Sequence, residues 1–179
     1  MNEEYLKYTH QNILTMTANC DTKASFLLAI LGLVVSSLVS FEPLHMFIKR
    51  VLDDYSITIS NVDWVITINM VCYLLSALGI LIVFFLLLCT LVARLQSNNF
   101  SLLFFKTISE VSDDIYKKKV NEMTTNDLYS DFTHQIHTCS CICAKKYKYF
   151  NAAISLTKVT VLLLVITIVL TLVNYFRLF

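Results

Sequence analysis

Turn-forming residues and charged residues are both scarce in this sequence. Its 179 residues include two glycines and one proline, and charged residues make up 15% of the chain. A soluble domain carries about a quarter charged residues, and a barrel of many short strands needs frequent glycine or proline at its turns. Hydrophobic residues reach 56%, with a mean hydropathy of +0.65. The composition therefore argues against an ordinary soluble domain and favours long helices.

Motifs that carry catalysis or bind metals are also missing. The sequence has no Gly-rich phosphate loop, no nucleophile elbow and no acid pair on clearly facing positions. His134, His137 and Cys141 share a helical face, and Cys139 and Cys143 are four residues apart, but a complete metal site needs a second pair from elsewhere. We therefore expect no enzyme activity, no metal and no cofactor, and helix packing is the default role of these residues.

The cysteines do not predict a secreted disulfide framework. Cys72 and Cys89 lie within an apolar run, and the other four fall in segments that we assign to the cytoplasm, where thiols stay reduced. The first apolar run follows a polar stretch and lacks a small-x-small exit site. We interpret it as a retained anchor rather than a cleaved signal peptide.

Three apolar runs are long enough to cross a bilayer as helices, which takes about 20 mostly apolar residues. They are residues 24–41 (TM1), 64–93 (TM2) and 152–176 (TM3). TM2 has no charged residue, and TM3 has only Lys158, close enough to its start to reach the interface. The predicted fold class is an all-α membrane protein with three transmembrane helices and helical cytoplasmic extensions, assembled as a homo-oligomer.

The distribution of basic residues sets the predicted orientation. The N-terminal segment and residues 94–151 must lie on one side, and together they hold ten lysines and arginines. The connection 42–63 holds only Lys49 and Arg50, and the tail 177–179 holds only Arg177. We therefore predict that the N-terminus is cytoplasmic and the C-terminus lies outside.

The cytoplasmic part is predicted to consist of helices that continue into the spans. Residues 1–23 form a helix that enters TM1, because no Gly or Pro interrupts them. Residues 94–151 form a helical module with helices at about 100–120 and 126–150, separated by the capping stretch Thr124-Thr125-Asn126-Asp127. The second of these enters TM3, and TM2 is expected to extend past Arg94. Residues 42–63 form an irregular outer loop or a short helix.

Each span carries a seam of small and polar residues at helical spacing. Helix packing explains such a seam, because small residues let backbones approach closely. The alternative is that one seam lines a water-filled path in an oligomer, since three helices cannot enclose a pore alone. The seam residues are Asn69, Cys72, Ser76, Gly79 and Thr90 in TM2, Thr157, Thr160, Thr167, Thr171 and Asn174 in TM3, and Ser25, Ala29, Gly32 and Ser36 in TM1.

Two lysine clusters in the cytoplasmic part are candidates for phosphate contacts, with nearby tyrosines as candidates for stacking on a base. Juxtamembrane lysines also satisfy topology and anionic lipid head groups, and both explanations stay open. Asp21, at the start of TM1, is expected either to pair with a lysine or to contact a ligand. The candidates are Lys117, Lys118 and Lys119, then Lys145, Lys146 and Lys148, then Lys23 and Lys106, with Tyr116, Tyr147 and Tyr149 for stacking.

Two stretches of the chain carry a family resemblance. Residues 18–29 (ANCDTKASFLLA) lead into TM1, and a second pattern runs from Phe104-Phe105 and Ile108 through Tyr116 to Gln135-Ile136 and Lys146-Tyr147 before TM3. They resemble the span-entry motif and the aromatic, Q-I and K-Y positions of the Pycsar-type transmembrane effector family. The chain departs from that family at Asn19-Cys20, between its Ala and Asp, and at residues 94–97, which lack a Pro-Arg pair.

The resemblance implies a nucleotide-responsive effector of a bacterial antiphage, abortive-infection system in the inner membrane. A cyclic mononucleotide or short oligonucleotide from an associated synthase would control an oligomeric pore. Related Hailong-type effectors are held shut by DNA oligomers, so the sign of control stays open. The expected partners are the bilayer and further copies of the chain, with no stable second protein. A non-conducting scaffold that recruits a cytosolic partner and a ligand-independent, holin-like toxin are the alternatives.

Overall fold

The structure, a computed structural model, describes residues 3–41, 45, 46, 49, 64–92 and 101–176. Every regular element in these residues is an α-helix, which confirms the all-α fold class. Most of the outer loop, the continuation of TM2 past Arg94 and the tail 177–179 lie outside the described residues. The helices are α1 (Glu3–Val39), α2 (Trp64–Leu91), α3 (Phe105–Ser109), α4 (Asp113–Glu122) and α5 (Thr125–Phe176).

Three of these helices are long and apolar enough to cross a membrane. The qualifying stretches are Glu3–Val39, Thr67–Leu91 and Thr125–Val173, each of which includes most of one of the apolar runs of the sequence. A bilayer core needs about 20 such residues in helical form. The protein is therefore a membrane protein with three candidate spans, as its apolar runs predict.

The two longest helices join polar segments to spans without a break. α1 has 37 residues and includes nearly all of the predicted TM1, and α5 has 52 residues and includes all of the predicted TM3. α5 begins at a reciprocal cap, in which the Thr124 amide donates to Asp127 Oδ2 at 3.1 Å and the Asp127 amide donates to Thr124 Oγ1 at 3.2 Å. Hydrogen bonds from the Thr124 hydroxyl and amide lower the pKa of the Asp127 carboxyl. The predicted continuity and the predicted cap are both confirmed.

The predicted helix at about 100–120 is wrong, because this stretch forms two short helices. α3 ends at Ser109, and α4 begins at Asp113 after Ser112 in an extended conformation. The Ser112 side chain makes no cap hydrogen bond, but Asp113 and Asp114 place two negative charges in the first turn of α4, where they interact favourably with the helix dipole. That local signal divides the stretch.

The chain forms two compact units. The polar unit consists of residues 1–22 and 90–148, and the apolar unit consists of residues 23–89 and 149–179. The polar unit contains the ends of α1 and α5 outside the predicted spans, together with α3 and α4. The apolar unit contains most of the three spans.

Candidate functional site

In the polar unit, α1 and α5 lie side by side and run in the same direction. The His10 ring packs edge-on against Phe132, with ring centroids 5.4 Å apart, and the Tyr147 hydroxyl donates to the Met16 carbonyl at 3.4 Å. Because the residue numbers in these two contacts increase along both helices, α1 and α5 are parallel neighbours. Tyr147 is half-buried and its hydroxyl is engaged, so only part of its ring is open for stacking.

An ion pair joins the same two helices near the end of the polar unit. The Lys146 ammonium donates to both carboxylate oxygens of Asp21, at 2.6 and 2.7 Å. The Lys146 side chain is 8% exposed and that of Asp21 is 37% exposed. This contact confirms the alternative in which Asp21 pairs with a lysine of the module.

The two other lysines of that cluster point away from Lys146. Lys145 and Lys148 are exposed, and neither makes an ion pair within the part of the chain that the structure describes. Residues three apart on a helix lie about 60° from each other, whereas Lys146 lies about 100° from Lys145 and about 160° from Lys148. Lys145 and Lys148 therefore share an exposed face on which one phosphate can bridge them, whereas Lys146 is directed toward Asp21 of α1.

The lysines of α4 have carboxylate partners on their own helix. Lys117 Nζ lies 2.5 Å from Asp113 Oδ2, and Lys118 Nζ lies 3.9 Å from Glu122 Oε1. Such exposed pairs contribute little to stability and exchange readily, but they balance the charge of the cluster. Lys119 and Tyr116 are half-buried, and Lys119 has an interaction of its own, whereas Lys106 and, in the apolar unit, Lys23 are exposed.

A buried polar network fastens residues 101–107 to α5. Gln135 Nε2 donates to Ser101 Oγ at 2.8 Å, and the Leu102 amide donates to Asp131 Oδ2 at 3.0 Å. The Thr107 hydroxyl donates to the Ser101 carbonyl, and the side chains of Ser101, Thr107 and Gln135 are buried, whereas that of Asp131 is half-buried. Sequence reasoning missed this network, and its only signal was Gln135 in the Q-I pair of the resemblance.

Cysteine and histidine side chains also meet in the polar unit. Cys139 Sγ lies 4.0 Å from His10 Nε2, and Cys141 Sγ lies 3.9 Å from His137 Nε2. Burial raises the pKa of the Cys139 thiol, which disfavours the thiolate that a metal requires. Among the described residues, no group of three or more His, Cys, Asp or Glu side chains could hold a metal.

In the apolar unit, the seams of TM2 and TM3 face each other. Asn69 Nδ2 donates to Thr171 Oγ1 at 3.2 Å, and a Cβ placed on Gly79 would lie 2.6 Å from Thr160 Oγ1. Helix packing, one of the two interpretations of the seams, therefore accounts for these residues within a single chain, and a pore-lining role stays a prediction. The side chain of Asn174 lies outside the described part of the structure, and the other seam candidates of TM2 and TM3 are buried or half-buried: Cys72, Ser76, Thr157 and Thr167, with Thr90 in the polar unit.

The seam of TM1 is uncovered in the single chain. Ser25, Ala29, Gly32 and Ser36 are all exposed, and nothing lies within 4 Å of a Cβ placed on Gly32. The end of α1 and the residues just after it line a small apolar pocket together with TM2 and TM3. The pocket is lined by Leu38, Phe41, Tyr73, Leu164, Thr167, Ile168 and Thr171.

Known proteins similar to this chain identify its family. A model of the Pycsar effector protein domain matches residues 5–173. The chain is also similar to the Pycsar effector protein GmPycTM of Gulbenkiania mobilis, with 25% identity over 154 residues, which cover 77% of this chain and 76% of the relative. No solved structure matches the chain. Because the family match includes both units and all three candidate spans, the chain belongs to the Pycsar effector domain family and is an antiphage membrane effector.

Proposed function

We propose that the protein responds to a nucleotide signal by opening a pore, formed by several copies of the chain, in the bacterial inner membrane. The observation that carries the proposal is the family match over residues 5–173, combined with two helices that each belong to both units. The signal is a cyclic mononucleotide or a short oligonucleotide made by an associated synthase. The N-terminus and the polar unit lie in the cytoplasm, where such a signal is made.

Continuous helices give a physical route from ligand to span. A ligand shifts an equilibrium between closed and open states only by its different affinities for the two states. Ligand contacts on the polar segment of α1 or α5 act on a helix that also forms a span, so a change in their packing does not need a flexible linker. This arrangement supports gating over simple anchoring.

The exposed lysines of α5 are the best candidates for phosphate contacts. Lys145 and Lys148 lie on one face, have no carboxylate partner among the described residues, and precede the predicted TM3 by only a few residues. The lysines of α4 are second candidates, because Asp113 and Glu122 already balance two of them. Phosphate oxygens accept charge-assisted hydrogen bonds from either set.

Ion flux from liposomes tests the proposal. Purified protein is reconstituted with a potassium gradient and challenged with each of the four 3′,5′-cyclic mononucleotides and with short DNA oligomers. We expect one of these ligands to change the flux. No flux under any condition contradicts a channel and favours a scaffold, and flux that no ligand changes favours a ligand-independent toxin.

Matched lysine variants test the site. Lys145→Gln with Lys148→Gln is expected to weaken the ligand response about tenfold, because each lost charge-assisted hydrogen bond is worth about 1.5–3 kcal/mol before solvent screening reduces it. The double variant Lys117→Gln with Lys118→Gln is the comparison, and we expect it to weaken the ligand response less. Wild-type ligand sensitivity in both double variants would exclude the four substituted lysines as the phosphate contacts.

A further inference from the structure

The ion pair between Asp21 and Lys146 is unequally open to solvent. The Lys146 side chain is 8% exposed, so its ammonium lies inside the polar unit, whereas Asp21 is 37% exposed. An ammonium has three N–H donors, and the described residues accept only through the two oxygens of Asp21. The carboxylate, but not the ammonium, can therefore turn into water without a rearrangement of the helix that carries it.

This inequality decides which partner can be exchanged. A buried ammonium left without an anion is strongly destabilising, so Lys146 needs an anionic oxygen at all times. An exposed carboxylate is stable in water. If another anion replaces Asp21 on Lys146, the ammonium therefore keeps an anionic partner and the displaced carboxylate is solvated by water.

We propose that a phosphate oxygen of the nucleotide signal replaces the Asp21 carboxylate on Lys146, and that this exchange releases α1 from α5 at the end of the polar unit. The proposal rests on the nucleotide response proposed above. Carboxylate and phosphate oxygens are the same class of acceptor for an ammonium. No covalent bond changes, since the pair exchanges one anionic partner for another.

The contacts near the pair explain why its loss matters. Among the described residues, it is the one ion pair that joins α1 to α5. The neighbouring hydrogen bond from Tyr147 to the Met16 carbonyl is neutral and long, at 3.4 Å. Because α1 and α5 both continue into spans, release at this point frees the entry of two membrane helices together.

The exchange predicts opposite effects from the two neutral variants. Nucleotide affinity is measured by calorimetry in detergent, with whichever of the four cyclic mononucleotides or DNA oligomers changes flux through the wild-type protein. Asp21→Asn removes the internal competitor and is expected to tighten binding about tenfold, and Lys146→Gln is expected to weaken it by a similar factor. Glu4→Gln and Lys7→Gln neutralise exposed charges on α1 that are outside the candidate ligand sites, and are expected to change affinity less than about twofold.

A purely structural pair gives a different result. In that case both neutral variants lower thermal stability and neither tightens nucleotide binding, which overturns the exchange while the flux response of the wild type still stands. If Asp21→Asn does not fold because the buried ammonium then lacks an anion, Lys146→Gln is compared with Lys146→Arg, which keeps the charge and is expected to bind nucleotide more tightly; equal affinity of these two variants overturns the exchange. A wild-type protein that neither binds the probes nor changes flux overturns the proposed function and the exchange together.

Discussion

Replacing Gly79 with alanine is expected to push TM2 and TM3 apart. The new Cβ would lie 2.6 Å from Oγ1, 3.2 Å from Cγ2 and 3.4 Å from Cβ of Thr160, whereas carbon contacts are comfortable at about 3.5–4.0 Å. Rotation of Thr160 does not clear the space, because its methyl group also faces Gly79. Its hydroxyl is further held by a 2.9 Å bond to the Leu156 carbonyl.

The chain has one other glycine, which provides a matched control. Alanine is favoured over glycine within a helix by about 0.5–1 kcal/mol at either position. Nothing lies within 4 Å of a Cβ on Gly32, so Gly32→Ala is expected to keep that gain. Overpacking at Gly79 costs about 1–3 kcal/mol, so the two alanine variants are expected to differ by that amount.

Reversible unfolding in mixed detergent micelles, followed by circular dichroism, measures this difference. Thr160→Ala removes Oγ1 and Cγ2, the two Thr160 atoms nearest the new Cβ. Gly79→Ala combined with Thr160→Ala is therefore expected to recover most of the stability that Gly79→Ala loses, which a double-mutant cycle measures as a coupling energy. Equal stability of Gly79→Ala and Gly32→Ala, or no coupling to Thr160, would refute the close approach of the two spans.

Three further predictions concern individual side chains. Thr171→Val is expected to destabilise the protein more than Asn69→Leu does. The valine leaves the whole buried amide of Asn69 unpaired, whereas the leucine removes an Oδ1 that already has no partner among the described residues. Equal losses of stability in the same unfolding assay would contradict this. Gln135→Ala is expected to speed proteolysis within residues 101–112, as seen by mass spectrometry, since it removes the bond to Ser101; unchanged cleavage would show that the network does not hold this segment. Cys139 is expected to react with iodoacetamide more slowly than exposed Cys141 at neutral pH, because its raised pKa leaves less thiolate, and the difference should shrink as the pH rises; equal peptide-level rates at neutral pH would contradict the burial.

Features that depend on local sequence were predictable. The three spans follow from the lengths of the apolar runs, and the continuity of α1 and α5 follows from the absence of Gly and Pro at their junctions. The cap at Thr124 and Asp127 also uses residues three apart. Even a local signal was overlooked at Asp113 and Asp114, where the start of α4 divides a stretch that we predicted as one helix.

Features that depend on the register between helices were not predictable. The run of basic residues before TM3 does not show that Lys146 turns inward while Lys145 and Lys148 face solvent. Likewise, the seams predict close packing but do not show that Gly79 meets Thr160, about 80 residues away in sequence. One residue of shift between two helices would change each of these contacts, and a single sequence carries no measure of that shift.

The threonines of TM3 satisfy their hydrogen bonds within their own helix. The hydroxyls of Thr157, Thr160, Thr167 and Thr171 each donate to the carbonyl four residues earlier, at 2.7–2.9 Å. Among these, only the bond between Asn69 and Thr171 crosses to TM2, and such bonds contribute about 0.6 kcal/mol on average in a membrane. Separation of TM2 from TM3 would therefore leave these four hydroxyls hydrogen-bonded, and at these positions the resistance to separation would come from shape complementarity. The TM3 surface that packs against TM2 already has these threonine hydroxyls hydrogen-bonded within its own helix, and this pattern is also compatible with contact to water.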